Sequence, residues 1–241
     1  MTEGWERFRA ISFDGDGTLW DFDQVMRHAL QCALDELARA HPIARERLSI
    51  GKMIGIRDQV AAELKGQIRN LEEIRFRAFR RTLEGIGVID DDLAHHLNAV
   101  YLNHRFEDIT LFSDVIPCLE ALGSRYRLGL LSNGNSYPER CGLAGRFQFI
   151  VLAQDHGIEK PDPRIFAIAL AQAGCTPSQL LHVGDSLEND VRGAQRAGVT
   201  AVWLNRHRTR NLTDIRPDGE VTTLRELWSA DGIVAPLTNP T

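Results

Sequence analysis

The feature that most restricts the fold of this chain is a series of five short, unbroken apolar runs: Ala10–Phe13, Leu128–Ser132, Phe149–Leu152, Leu180–Val183 and Ala201–Leu204. Each is rich in Ile, Leu, Val or Phe, and most lead directly into Gly, Asp, Asn or Ser. A strand with one wet face alternates apolar and polar residues. A run that is apolar throughout belongs to a strand covered on both faces, as in a parallel sheet. Segments with helical spacing, Asp114–Arg125, Pro163–Ala173 and Leu187–Ala197, separate the later runs. This alternation predicts an α/β fold with a doubly wound, Rossmann-like parallel core. Glu220–Trp228 reads as one more strand–helix piece. In such sheets ligands sit at the carboxyl ends of the strands.

Between the first two runs, residues 20–107 read as helices only. Val25, Ala29, Cys32, Ala33 and Leu37 share one helical face. So do Leu71, Ile74, Ala78 and Phe79, and then Leu93, Leu97, Val100 and Tyr101. A stretch this long is an inserted α-helical subdomain rather than a loop. The expected organisation is a core from residues 1–19 and 108–228, the insert at 20–107, and a C-terminal tail at 229–241.

Composition narrows the partners. Hydrophobic residues make up 43% and charged residues 25%, enough apolar content for a buried core. A net charge of −5 gives no general attraction to nucleic acid or to anionic membranes, so neither is expected as a partner. An anionic substrate would need a local site. Cys32, Cys118, Cys141 and Cys175 are widely spaced, with no C-x-x-C pair, and read as reduced thiols. Met1–Arg9 has no signal-peptide pattern, and the longest apolar runs fall far short of a bilayer span. A cytoplasmic monomer or homodimer is expected.

Two acidic clusters close predicted strands. The first is Asp14-Gly15-Asp16-Gly17-Thr18-Leu19. Carboxylates two residues apart at a strand end can point to the same side, and glycines between them admit a ligand close to the backbone. A plain acidic turn or a calcium loop are the alternatives. An EF-hand, however, needs a preceding helix and an acid at its twelfth position, which here is Val25. The second cluster is Gly184-Asp185, with Asp190 five residues on. If the sheet reading holds, Asp185 reaches the same edge as Asp14. Converging carboxylates repel, and a hard cation such as Mg²⁺ relieves that. Helix capping by Asp185 or Ser186 explains the second cluster equally well by itself. Ser132-Asn133-Gly134 offers a hydroxyl and backbone N–H groups suited to phosphate oxygens, or is a simple turn. Lys160 lies in a proline-flanked segment, Glu159-Lys160-Pro161-Asp162-Pro163, and can offset charge on a nearby acid.

In order and placement this set resembles the haloacid dehalogenase superfamily of phosphotransferases. Its four motifs match Asp14 to Leu19, Ser132-Asn133, Lys160-Pro161 and Gly184-Asp185 with Asp190. The helical insert resembles the family's C1-type cap, as in phosphoglycolate phosphatase-like members. The resemblance implies a magnesium-dependent phosphatase acting on a small phosphorylated metabolite. Asp14 would be the nucleophile, carrying an aspartyl-phosphate, with Asp16 as general acid/base. Asp14, Asp16 (through its backbone carbonyl), Asp185 and Asp190 would hold the metal. Thr18, Ser132, Asn133 and Lys160 would bind phosphate, and Lys160 would also steady Asp14. Gly15 departs from the pattern, where an apolar residue is usual.

A 2-haloacid dehalogenase would keep Asp14 but needs no second acid, because a halide leaves without a proton. A phosphomutase would use the same motifs with a different cap, and a non-catalytic binding protein is a further alternative. In the insert, Arg75, Arg77, Arg80 and Arg81 read as a solvated face, with Lys52 and Arg57 better placed for substrate. His95, His96 and His104 have no visible Cys or carboxylate pattern and read as surface or packing residues.

Overall fold

The computed structural model describes residues 6–68, 70–229 and 232–233. It divides into two compact units. One contains the chain up to Asp21 and from Leu111 onward; the other is Phe22–Thr110.

The first unit is built on a six-stranded sheet. Its strands are β1 (Ala10–Phe13), β2 (Arg127–Ser132), β3 (Phe149–Leu152), β4 (Leu180–Gly184), β5 (Thr200–Leu204) and β6 (Gly219–Val221). Their order is β3-β2-β1-β4-β5-β6, and every pairing is parallel. The chain therefore winds outward from β1 in one direction and then, from β4, in the other. This is the doubly wound topology expected from the apolar runs. Phe13 lies in register with Leu130 on one side and Val183 on the other, so the loops after β1, β2 and β4 are neighbours.

All four β1 residues are buried. One sheet face, with Ala10, Leu131, Val151 and Ala201, packs against Ile165, Phe166 and Ala169 of the helix Pro163–Ala173. Asp162 caps that helix by accepting from Arg164 N, and Pro163 opens it. On the opposite face Leu128 meets the helix Val115–Gly123. Alternation along a strand puts Leu128 and Leu131 on opposite sides, so both faces need apolar residues.

Two expected elements differ. The segment Leu187–Ala197 is a π-helix over Leu187–Arg192 that tightens to α only over Gly193–Arg196. Glu220–Trp228 holds the end of β6 and a single 3₁₀ turn, Leu224–Leu227. Of the expected tail, Ser229 pairs through Trp228–Ser229 with Gly232–Ile233 as a short antiparallel ribbon. Residues 230–231 and 234–241 lie outside the described residues.

The second unit is helical: α1 (Phe22–Ala40), α2 (Ala44–Arg47), α3 (Ile50–Leu64), α4 (Leu71–Glu84) and α5 (Asp91–Glu107). Ser49, Asn70 and Asp90 cap α3, α4 and α5 through side-chain oxygens. Ala29, Ala33 and Leu37 of α1 join Phe79 and Leu83 of α4 and Leu97 and Tyr101 of α5 in one apolar core. Among the described residues no helix is long and apolar enough to cross a membrane.

Candidate active site

Asp14 follows β1 directly, Ser132 ends β2, and Asp185 follows β4. Because these strands are adjacent, motifs spread over more than 170 residues of the chain meet at one sheet edge. Oxygen atoms of Asp14, Asp185 and Asp190 all lie within 4.8 Å of one another.

Lys160 is at the centre of this group, 2% exposed. Its Nζ donates to Asp14 Oδ1 at 2.6 Å, to Asp190 Oδ1 at 2.6 Å and to the Leu131 carbonyl at 2.9 Å. All three ammonium protons are thereby used. Burial works against the lysine's charge, but Asp14 and Asp190 outweigh it and hold the pKa above the usual value. Burial raises Asp14 well above the ordinary carboxylate range; Lys160 opposes that rise, and Asp190 and Asp185 add to it. Asp185 is pushed up to about 7 by desolvation and by the charge of Asp190. Burial would also raise Asp190, yet Lys160 and His182 draw it below its ordinary value. Three carboxylates face one ammonium, so the site carries excess negative charge when all are ionised. The donors are hard oxygens, and the raised values of Asp14 and Asp185 mark where a divalent cation would be accommodated.

The four acids are positioned differently. Asp190 is fully engaged: Oδ1 accepts from Lys160 and lies 3.1 Å from His182 Nε2, while Oδ2 accepts from Ser186 N at 2.9 Å. The wide π turn brings its carboxylate back beneath the end of β4. Gly184 leaves the space, since a Cβ there would run into Asp190 Cγ. Among the described residues Asp14 Oδ2 accepts no hydrogen bond, and the Asp185 carboxylate takes one from its own backbone. Asp16 Oδ1 accepts from Trp20 Nε1 at 2.7 Å.

Thr18 is completely buried, and its Oγ1 has no hydrogen-bond partner among the described residues. Such a hydroxyl is costly to leave unpaired and suits a ligand oxygen. Ser132 Oγ accepts from Gly134 N at 3.1 Å, which shapes the turn after β2. The Asn133 side chain does not point at an open position. Its Nδ2 donates to the Lys160 carbonyl at 2.9 Å and its Oδ1 accepts from Lys160 N at 2.7 Å. Asn133 thus fixes the backbone of Lys160, leaving only main-chain groups of its own for phosphate.

Sequence reasoning missed three supporting residues. Trp20 is fully buried, and its indole occupies the space a side chain at position 15 would need: a Cβ on Gly15 would lie 2.8 Å from Trp20 Cη2. The unusual glycine was the signal that another group fills that volume. His182 is buried between Ser12 and Asp190, with Nδ1 2.9 Å from Ser12 Oγ. Burial lowers its pKa, while the hydrogen bond to Asp190 and that carboxylate's charge oppose the fall. Arg206 donates to both oxygens of Asp114 and to the Thr18 carbonyl at 2.8 Å. Its guanidinium lies over the Phe112 ring, 4.0 Å from the centroid. A cavity of about 230 Å³ opens beside the carboxylates, lined by Asp185, Asp21, Trp203, Arg206 and His207.

Three of the four arginines of α4 form ion pairs within the helical unit. Arg77 pairs with Glu73, Arg80 with Glu84 and Asp91, and Arg81 with Glu63. Lys52 Nζ donates to the Arg47 carbonyl and Arg57 pairs with Asp58, so neither of the two favoured cations is held in reserve for substrate.

The family model for haloacid dehalogenase-like hydrolases matches residues 8–198. The phosphoserine phosphatase of Thermus thermophilus is 34% identical over 165 residues, 66% of each chain. The glyceraldehyde 3-phosphate phosphatase of Methanopyrus kandleri is 29% identical over 231 residues, 91% of this chain and 95% of that one. Among solved structures, the 2-haloacid dehalogenase from Pseudomonas syringae pv. Tomato DC3000 superposes with a TM-score of 0.78. It has 34% identity and covers 91% of this chain and 96% of its own.

Proposed function

The chain belongs to the haloacid dehalogenase-like hydrolases, and from that premise we propose that it is a phosphatase cleaving a small phosphomonoester through an aspartyl-phosphate on Asp14. The observation that carries this reading is Asp16. It holds a second carboxyl group two residues from the nucleophile, anchored at Oδ1 by Trp20. A halide needs no proton to leave, whereas an alkoxide does. Phosphatase names among the curated relatives support the same choice.

In the first step Asp14 Oδ2 forms a bond to phosphorus as the ester P–O bond breaks, and Asp16 gives its proton to the departing oxygen. In the second, Asp16 takes a proton from water as the water oxygen bonds to phosphorus. The Asp14–phosphorus bond breaks, releasing phosphate and restoring both carboxyls. Lys160 keeps its proton throughout and offsets the charge on Asp14. The orphaned Thr18 hydroxyl and main-chain N–H groups after Ser132 hold phosphate oxygens. A Mg²⁺ held by Asp14, Asp185 and the Asp16 carbonyl would neutralise phosphate charge and so reduce its repulsion of the nucleophile. Asp190 acts on that site through Lys160 and Ser186.

A dehalogenase is the second reading, favoured by the Pseudomonas structure. The deciding experiment measures kcat/KM on a panel of phosphorylated metabolites with Mg²⁺, beside 2-haloacids. Phosphate release that disappears in Asp14→Asn supports the phosphatase. Halide release with no phosphate release from any ester refutes it.

A further inference from the structure

We propose that the helical unit carries a binding site for Zn²⁺, formed by His28, Cys32, His104 and Asp108 and separate from the carboxylates of the sheet. His28 and Cys32 lie one turn apart on α1. His104 lies in the last turn of α5, and Asp108 is the residue that caps it. Each helix therefore supplies two donors at i and i+4, and the shared core of α1 and α5 brings the two pairs face to face.

The atoms are already gathered. Single donor atoms of His28, Cys32 and His104 lie within 4.8 Å of one another. Cys32 Sγ is 3.8 Å from His28 Nε2. Asp108 Oδ2 is 3.0 Å from His28 Nε2 and 2.7 Å from His104 Nδ1. Tetrahedral zinc, with Zn–N of about 2.0–2.1 Å and Zn–S of about 2.3 Å, places its donors roughly 3.3–3.6 Å apart. Side-chain rotation of about 1 Å closes the difference, and these half-exposed groups have room for it.

The donor types select the ion. Two imidazoles, a thiolate and a carboxylate form a mixed N, S and O set that suits Zn²⁺ and not Mg²⁺ or Ca²⁺. Thiolate and carboxylate together cancel the ion's charge. The last carbonyls of α5 add favourable negative potential at the same place. Binding replaces the protons that now lie between the two imidazoles and Asp108, and it releases the Cys32 thiol proton. The reading of His104 from sequence as partnerless is corrected here. Asp108 stands at i+4 from it, a local spacing, whereas His28 and Cys32 lie on a helix more than 70 residues earlier, where no local pattern reveals them.

The test uses the full-length, metal-stripped protein with saturating Mg²⁺, so that the sheet carboxylates are already supplied, and Co²⁺ as a spectroscopic probe for Zn²⁺. The expected result is a near-ultraviolet thiolate-to-cobalt charge-transfer band. It should saturate at about one equivalent and be displaced by Zn²⁺. Cys32→Ser should abolish the band. His28→Ala and His104→Ala should each weaken Co²⁺ binding by more than about 10-fold, the loss that even outer partners of metal ligands produce. Asp185→Asn should leave the band intact, and that variant separates this site from the proposed catalytic one. A wild-type protein without the band, or a band that persists in Cys32→Ser, overturns the proposal whatever the catalytic activity proves to be.

Discussion

Replacing Trp20 by Phe removes one hydrogen bond, the 2.7 Å contact from Nε1 to Asp16 Oδ1, while keeping an aromatic ring in the buried position. A hydrogen bond to a charged group is worth about 1.5–3 kcal/mol; Asp16 becomes charged only as it gives up its proton, and the contact is part-buried, so this one belongs at the low end. At about 1.4 kcal/mol per factor of ten, loss of the contact should cost about 10-fold in rate wherever Asp16 must donate its proton in a fixed direction. The assay compares kcat/KM for an alkyl phosphate and for a nitrophenyl phosphate. This parameter includes only steps through formation of the phosphoenzyme. The later use of Asp16 as a base, common to both substrates, therefore does not blur the comparison. The alkyl ester should fall about 10-fold. The nitrophenyl ester, whose leaving group departs without a proton, should fall less than about twofold. Gly15→Ala should reproduce the pattern with the indole N–H still present, because its Cβ displaces Trp20. Equal losses on both esters, or none on either, in a variant with an unchanged melting profile would refute the idea that Trp20 aims the acid.

Arg206→Met should lower stability by about 3–5 kcal/mol, because it leaves Asp114 buried without its cation; urea denaturation measures this, and a loss below about 1 kcal/mol would show that the pair does not hold the structure. Gly184→Ala should reduce kcat far more than KM, since the new Cβ meets Asp190 and displaces the support of Lys160; unchanged kcat in that variant would contradict the space argument. Asp185 stands at about 7 in the folded protein against an ordinary value of 3.8. Between these values the metal-free native state binds more protons than the unfolded chain, so its stability falls as pH rises through that window. Thermal melts should therefore show a larger gain from Mg²⁺ at pH about 8 than at pH about 5.5, protons competing for Asp185 at the lower value. A gain independent of pH would exclude Asp185 from the metal site.

The sheet was legible because each central strand is apolar on both sides, a pattern that few other elements produce. The acidic residues were legible because chain order and strand ends place them together. The winding of Leu187–Arg192 was not, because helical spacing does not distinguish π from α; the wide turn accompanies the buried Asp190 and its contact with Ser186 N. Nor were His182 and Arg206. Their partners Ser12 and Thr18 lie 170 and 188 residues away, and only folding defines those contacts. The contact that Asn133 makes with its side chain was not legible either. That side chain grips the backbone N–H and carbonyl of Lys160, a pairing that no local pattern specifies.

The stem of the helical insert has a further consequence. Trp20 and Leu111 form an antiparallel bridge, and Phe112 N donates to the Leu19 carbonyl at 3.0 Å, so the two ends of the insert are fastened inside the sheet unit. With the ends held, the entropy of closing the intervening chain grows only with the logarithm of its length, about 0.6 kcal/mol for each doubling. Evolution can therefore lengthen, shorten or exchange Phe22–Thr110 at little thermodynamic cost to the strands that carry Asp14 and Asp185. Changes in Phe22–Thr110 and changes in the strands that carry Asp14 and Asp185 can then proceed on separate stretches of the same gene.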